Sequence, residues 1–172
     1  MGAIDPIAGR AAASAVALVI GKSESERESV ARALHCEQRG PDGPFLRVDC
    51  STDEGLLQRA LQGWLVGISG VSSPQLLNRL EGGSLFLDGI EALGVETQSL
   101  LLELLNRSSG VTDDAEGASA GPSQPWKGQL IAGSEFSLRR AVRDRGWSSG
   151  LAERLEQVRI VLDPDDVDSR ES

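Results

Sequence analysis

Apolar positions in this chain fall into short blocks separated by polar, helix-like stretches. Residues 15–20 (AVALVI), 84–88 (SLFLD), 129–132 (QLIA) and 158–162 (VRIVL) are compact runs without strict alternation. The first predicts a strand buried on both faces, the second another buried strand, and the last two further strands. Residues 44–50 (PFLRVDC) set Phe45, Leu46, Val48 and Cys50 among polar neighbours and predict a further strand. Between the blocks the apolar spacing becomes helical. Val30, Ala31, Ala33 and Leu34 predict the inner face of one helix, and Leu56, Leu57, Ala60 and Leu61 that of another reaching about Trp64. Residues 96–106 (ETQSLLLELLN), 137–145 and 151–155 predict three more, and Pro74 suits the first turn of a short one.

Punctuation supports these divisions. Ser23 with Glu26, or Ser25 with Glu28, has capping-box spacing. Ser51 or Thr52 can cap the second helix. Residues 40–43 (GPDG) are turn chemistry and residues 67–73 a small Gly/Ser loop. Residues 108–124 are rich in Ser, Gly, Asp and Ala without periodicity, which predicts a long flexible loop. Residues 1–12 predict a loose tail and residues 163–172 an acidic one, around a single domain over 1–172. Alternating strands and helices predict a three-layer α/β fold: a five-stranded parallel sheet with helices on both faces.

Composition narrows the function. Aromatic residues are 3% with no Tyr, so the core must come from Leu, Val, Ile and Ala. A net charge of -9 opposes direct DNA binding, which needs clustered cations. The local cluster Arg139, Arg140, Arg143 and Arg145 reads as a solvated helix face. Cys36 and Cys50 form no CxxC pair and His35 is the single histidine, so no metal-ligand set is expected. Two buried thiols in a reducing compartment follow. No run is long and apolar enough for a membrane span, and residues 1–10 lack signal-peptide features, so a cytoplasmic location is expected.

The order of short motifs then carries a resemblance. Gly21 follows the first strand and precedes Ala31-Arg32-Ala33-Leu34-His35. Next come Arg39, then Pro44 to Cys50, then Gly82-Gly83-Ser84-Leu85-Phe86-Leu87-Asp88-Gly89-Ile90. Gln98 with Leu101, Leu102 and Leu105 follows, then Ile131-Ala132, and finally residues 151–155. This series resembles the AAA+ domain of bacterial sigma-54-dependent transcription activators, which reads roughly GESGTGKE, ARAIH, PFVxVNC, GGTLFLDEI, QxxLLRxL, VIAATN and FRxDLYYRL. The resemblance covers residues 15–162 and implies a P-loop NTPase core. It stops where the family's C-terminal helical lid would begin.

It also implies that the ATPase chemistry is lost. A P-loop uses glycines to wrap backbone N–H groups around phosphates, a lysine to neutralise them and a Ser or Thr to hold Mg²⁺. The matching stretch is Gly21, Lys22, Ser23, Glu24, Ser25, Glu26, Arg27. Glu24 and Glu26 stand at the family's glycines and Arg27 at its lysine. A carboxylate about 5 Å from a phosphate charge costs roughly 3 kcal/mol at an effective dielectric near 20. The same glutamates suit the positive end of an empty helix, and Arg27 or Lys22 is left as a possible anion contact. Asp88 keeps the Walker B aspartate and reads as a strand-end acid capping a nearby helix. Gly89 replaces the water-activating glutamate. Glu135 stands at the sensor asparagine and Ser148 at the trans-acting arginine. The retained Arg154 reads as a structural ion-pair partner. The sigma-contacting GAFTGA loop has no counterpart in residues 63–74.

The expectation is a non-catalytic, cofactor-free interaction or regulatory module with a protein partner. Trp64, Leu65, Val66 and Ile68 are either a contact patch or ordinary packing. Two alternatives remain: a divergent ATPase acting on sigma-54 RNA polymerase, and a nucleotide or cyclic-dinucleotide sensor using Arg27 or the 139–145 cluster.

Overall fold

The computed structural model describes residues 16–66, 73–108 and 126–162. Five strands form one parallel sheet: β1 (Val16–Ile20), β2 (Phe45–Asp49), β3 (Ser84–Asp88), β4 (Gln129–Ser134) and β5 (Arg159–Val161). Their order across the sheet is β2-β3-β4-β1-β5. The helices are α1 (Glu24–Arg39), α2 (Glu54–Val66), α3 (Ser73–Arg79), α4 (Val95–Ser108), α5 (Leu138–Arg145) and α6 (Ser149–Leu155). The expected loop over 108–124 lies almost wholly outside the described residues. Both expected tails lie wholly outside them.

Strand side chains alternate between two layers. On one face Ala17, Val19, Phe86 and Ile131 pack with Ala31 and Leu34 of α1. On the other Leu18, Ile20, Leu85, Leu87, Leu130 and Ala132 pack against α2 to α6. The runs at 15–20, 84–88 and 129–132 thus mark strands covered twice, whereas the edge strand β5 is only partly buried along its length. β5 is shorter than expected, although the Leu162 N–H still reaches the Ile20 carbonyl at 2.7 Å. Gly83 is dictated by space: a Cβ there would lie 1.9 Å from the Pro44 carbonyl oxygen.

Several sequence expectations need correction. Ala33 is exposed, and Arg27 and His35 are buried with Ala31 and Leu34 on the inner face of α1. Hydrophobicity patterns overlook such polar residues. Neither Ser51 nor Thr52 caps α2. Asp49 Oδ1 instead accepts the Ser51 N–H at 3.0 Å and its hydroxyl at 2.6 Å. Those two bonds hold the Asp49 pKa below its ordinary value. The helix starts two residues later, with Leu57 N–H on the Asp53 carbonyl. Its rotation puts Leu56 45% exposed and Leu57 at 0%. Cys36 is exposed; Cys50 is buried, and burial pushes its thiol pKa well up.

Leu57→Ala should lower the unfolding free energy by about 2–5 kcal/mol. Leu56→Ala should cost about 0.5 kcal/mol or less. Urea titration followed by tryptophan fluorescence measures both, and equal losses would contradict this rotation of α2.

Candidate functional site

Parallel α/β sheets bind ligands beyond the carboxyl ends of their strands. Here that edge gathers the end of β1, the start of α1, Asp49, Asp88 and Gly89. Only Gly21, Lys22 and Ser23 separate β1 from α1. Glu24, Ser25, Glu26 and Arg27 are already wound into the first helical turn. Ser23 is the N-cap: its hydroxyl accepts the Glu26 N–H at 3.2 Å, and its carbonyl accepts the Arg27 N–H at 3.0 Å. Of the two capping spacings in the sequence, the structure uses Ser23 with Glu26. Glu24 and Glu26 lie in the first turn, where carboxylates complement the helix dipole. Lys22, Glu24, Ser25 and Glu26 are exposed.

Arg27 turns the other way, into the protein. Its Nε donates to Asp88 Oδ1 at 2.7 Å, its Nη2 to Asp88 Oδ2 at 3.2 Å, and its Nη1 to the Gly21 carbonyl at 2.7 Å. The two side chains are 9% and 3% exposed. Burial by itself would lower the Arg27 pKa. The hydrogen bond and charge of Asp88 outweigh it, and the pKa sits above its ordinary value. Asp88 is not the helix cap expected from the sequence; its carboxylate is an ion-pair partner. Arg27 likewise is no open anion contact, because its forked face is filled from within.

A second guanidinium reaches the same carboxylate. Arg47, on β2, donates from Nη2 to Asp88 Oδ2 at 3.0 Å and to Glu24 Oε2, and its Nε lies 3.5 Å from Glu28 Oε1. Sequence reasoning passed over Arg47 as a polar member of an alternating strand. Parity was the available signal: Arg47 pairs with Phe86, one step before Asp88 and on the same face.

Two glycines shape the remaining space. A Cβ at Gly133 would lie 2.5 Å from Asp88 Oδ1 and 3.0 Å from the Phe86 ring, so the side-chain-free position leaves room for Asp88. Gly89 has φ 70°, in the left-handed region that favours glycine. Arg27 and Arg47 both meet Asp88, and Arg47 also meets Glu24 and Glu28. Both Asp88 oxygens are engaged by guanidinium groups.

The other singled-out residues lie elsewhere. Ser148 is the N-cap of α6, its hydroxyl accepting the Leu151 N–H at 3.1 Å. Glu135 is exposed at the end of β4. Arg154 holds the end of α4, donating to the Asn106 side chain and to the Leu105 carbonyl at 2.9 Å. Trp64 and Leu65 are 8% and 5% exposed within the main core, so they are packing and not a contact patch. Their helix turns them under the sheet, which residue type alone does not reveal. The side chain of Val66, and all of Ile68, lie outside the described residues. Arg139 and Arg143 line an open groove of about 460 Å³ with Val142, Ala152, Glu153 and Glu156. Its two arginines are balanced by two glutamates, which gives an anionic ligand no net attraction. Arg140 and Arg145 stack on Phe136. His35 is a structural residue. Its Nδ1 lies 2.8 Å from the Ser84 hydroxyl, and its Nε2 lies 2.9 Å from the Gly43 carbonyl, a pure acceptor.

Sheet order, helix placement and the position of Asp88 define a P-loop NTPase-type α/β fold of the AAA+ class. The Sigma-54 interaction domain family matches residues 2–161, and the chain belongs to that family. The acetoin catabolism regulatory protein of Cupriavidus necator is 32% identical over 152 residues, covering 86% of this chain and 22% of that protein. The transcriptional regulatory protein FlbD of Caulobacter vibrioides is 31% identical over 153 residues, covering 86% and 32%. The chain therefore spans well under half the length of these relatives. Among solved structures, NtrX from Brucella abortus in complex with ATP superposes with a TM-score of 0.65 at 23% identity, over 91% of this chain and 35% of that one. The P-loop NTPase domain of the Sigma-54 transport activator from E. coli gives 0.53 at 19% identity, over 90% and 87%. Among the described residues no helix is long and apolar enough to cross a membrane.

Asp88→Asn should lower the unfolding free energy by about 3–5 kcal/mol, because it leaves a buried guanidinium without its counter-charge. Differential scanning calorimetry at neutral pH measures it. A loss under about 1 kcal/mol would mean that the pair is solvated and not buried.

Proposed function

We propose that this chain is a non-hydrolytic AAA+ domain of the sigma-54 activator type, acting in the cytoplasm as a protein-interaction or regulatory module in bacterial transcription. The observation that carries this reading is the engagement of both Asp88 oxygens by Arg27 and Arg47. The Walker B aspartate acts near Mg²⁺ in the family, and here its lone pairs are directed at guanidinium groups. Three further features support the reading. Glu24 and Glu26, aligned with the phosphate-wrapping glycines, sit in the first turn of α1 and put carboxylates at the helix end that a phosphate would occupy. Gly89 has no side chain to orient water. Ser148, at the position of the trans-acting arginine, caps a helix. A domain of this kind contributes a surface and a fold that related regulators recognise, and its partner is a protein of the sigma-54-dependent transcription machinery.

Three measurements test this. A nucleotide at 100 times its dissociation constant stabilises its protein by about 2.7 kcal/mol. For a chain of this size that is a melting-temperature rise of about 5 °C or more. Millimolar Mg·ATP, Mg·ADP or a cyclic dinucleotide should give no resolvable rise. Phosphate release should stay at the no-enzyme rate across protein concentrations, and turnover that scales with protein would overturn the proposal. Light scattering with purified sigma-54 or an intact activator should show a complex, whereas inert monomer with every such protein would remove the interaction role.

A further inference from the structure

We propose that Arg47 is the built-in replacement for a divalent cation at the degenerate nucleotide site. It bridges the β3 aspartate to the start of α1, so that the domain holds its own site closed without any ligand. The inference deepens the non-hydrolytic reading and rests on it.

The argument is one of position and charge. Exposure falls along a chain of alternating sign from Glu24 at 62% through Arg47 at 24% to Asp88 at 3%, and Arg27 on the far side of Asp88 is buried as well, at 9%. Arg27 is the inner member, fixed to Asp88 on two atoms and to the Gly21 carbonyl. Arg47 is the outer member, and three carboxylates from two different elements converge on it: Asp88 from β3, and Glu24 and Glu28 from α1. A cation held by carboxylates of separate elements ties those elements together. It does so only while its charge is present.

The sequence context explains why an arginine can take this place. Arg47 is on β2, an edge strand whose α1-facing positions are incompletely covered. Its long stem can lie over the sheet and deliver the guanidinium to the strand ends. The planar head then addresses several oxygens at once, which an ammonium does as a point charge only. Burial alone would lower the Arg47 pKa, yet the hydrogen bond and charge of Asp88, with the charges of Glu24 and Glu28, raise it above its ordinary value.

If Arg47 supplies the bridging charge, its removal leaves Asp88 Oδ2, Glu24 and Glu28 around a vacated position. Three oxygen donors of this kind are ligands for a hard divalent cation. The wild-type protein should therefore show no change in melting temperature with MgCl2 or CaCl2 beyond that of NaCl at equal ionic strength. Arg47→Ala should melt at lower temperature and regain about 3–6 °C, saturably, in 10 mM MgCl2 or CaCl2. That is the shift for a millimolar site in a chain of this length. Arg47→Lys should recover part of the lost stability without added cation. Arg47→Gln keeps the stem and gives the same readout if Arg47→Ala does not fold. Divalent-specific stabilisation of the wild type would overturn the inference, as would Arg47 variants that respond to divalent salts no more than to NaCl. A response of the wild type to Mg·ATP, with no response to Mg²⁺ alone, would instead count against the non-hydrolytic reading.

Discussion

The buried contact between Arg27 and Asp88 is the constraint around which this domain is arranged. Neither partner tolerates the loss of the other, since an isolated charge in the interior costs several kcal/mol. The pair joins the only helix described on one face of the sheet to the interior strand β3. A second polar contact joins the same two elements at their other ends, where His35 meets Ser84, whose hydroxyl also lies 3.0 Å from the Gln129 amide. The spacing of the two contacts agrees. Eight residues of helix from Arg27 to His35 rise about 12 Å. Four residues of strand from Ser84 to Asp88 rise about 13 Å. Between them Ala31 and Phe86 share one apolar cluster. A small residue on the helix against a large one on the strand sets how closely the two layers approach. The polar pairs at either end set where along the strand the helix sits. Apolar packing alone would permit sliding; two spaced polar contacts do not.

Most of the fold was legible in the sequence because burial on both faces leaves a plain mark. The runs at 15–20, 84–88 and 129–132 contain hardly any charge, and each contributes a strand. The alternation of strands with helices then supplied the sheet type. Errors arose where one residue type has two physical uses. Leu56 and Leu57 are equally apolar, and only the start of α2, displaced by the Asp49–Ser51 turn, decides which is buried. Trp64 and Leu65 could equally have formed a surface patch. Ala33 carries too little side chain to report its face.

The site was legible in a different way. From the family resemblance the sequence set Glu24 and Glu26 at the motif's glycines, Arg27 at its lysine and Gly89 at its glutamate. It did not reveal what the replacements do, because the contacts that answer this are remote in the chain. Arg27 and Asp88 are 61 positions apart, and Arg47 and Asp88 are 41 apart. A carboxylate at a strand end is as suited to capping a helix as to pairing with an arginine. Only the placement of α1, with position 27 on its inner face, decides between them. Arg47 was overlooked for the same reason, since a polar residue in an edge strand normally faces water.

The substitutions at this site are coupled, and that coupling argues against treating them as independent losses. Arg27 reaches Asp88 with two atoms; a lysine there would offer a single point charge and lose the paired geometry. Asp88 can accept the bidentate contact because position 133 has no side chain, whereas an alanine would press on the carboxylate at 2.5 Å. Gly89 follows with φ 70°, a conformation that a glutamate enters only with strain. Glu24 and Glu28 complete the charge around Arg47 while occupying the helix end that a phosphate would need. Restoring any one family residue would therefore leave it opposed by the others. A carboxylate at position 89 would meet the wrong backbone, and a lysine at 27 would face an aspartate still held by Arg47. The arrangement is self-consistent: Asp88 is engaged by Arg27 and Arg47, and Arg47 in turn by Glu24 and Glu28.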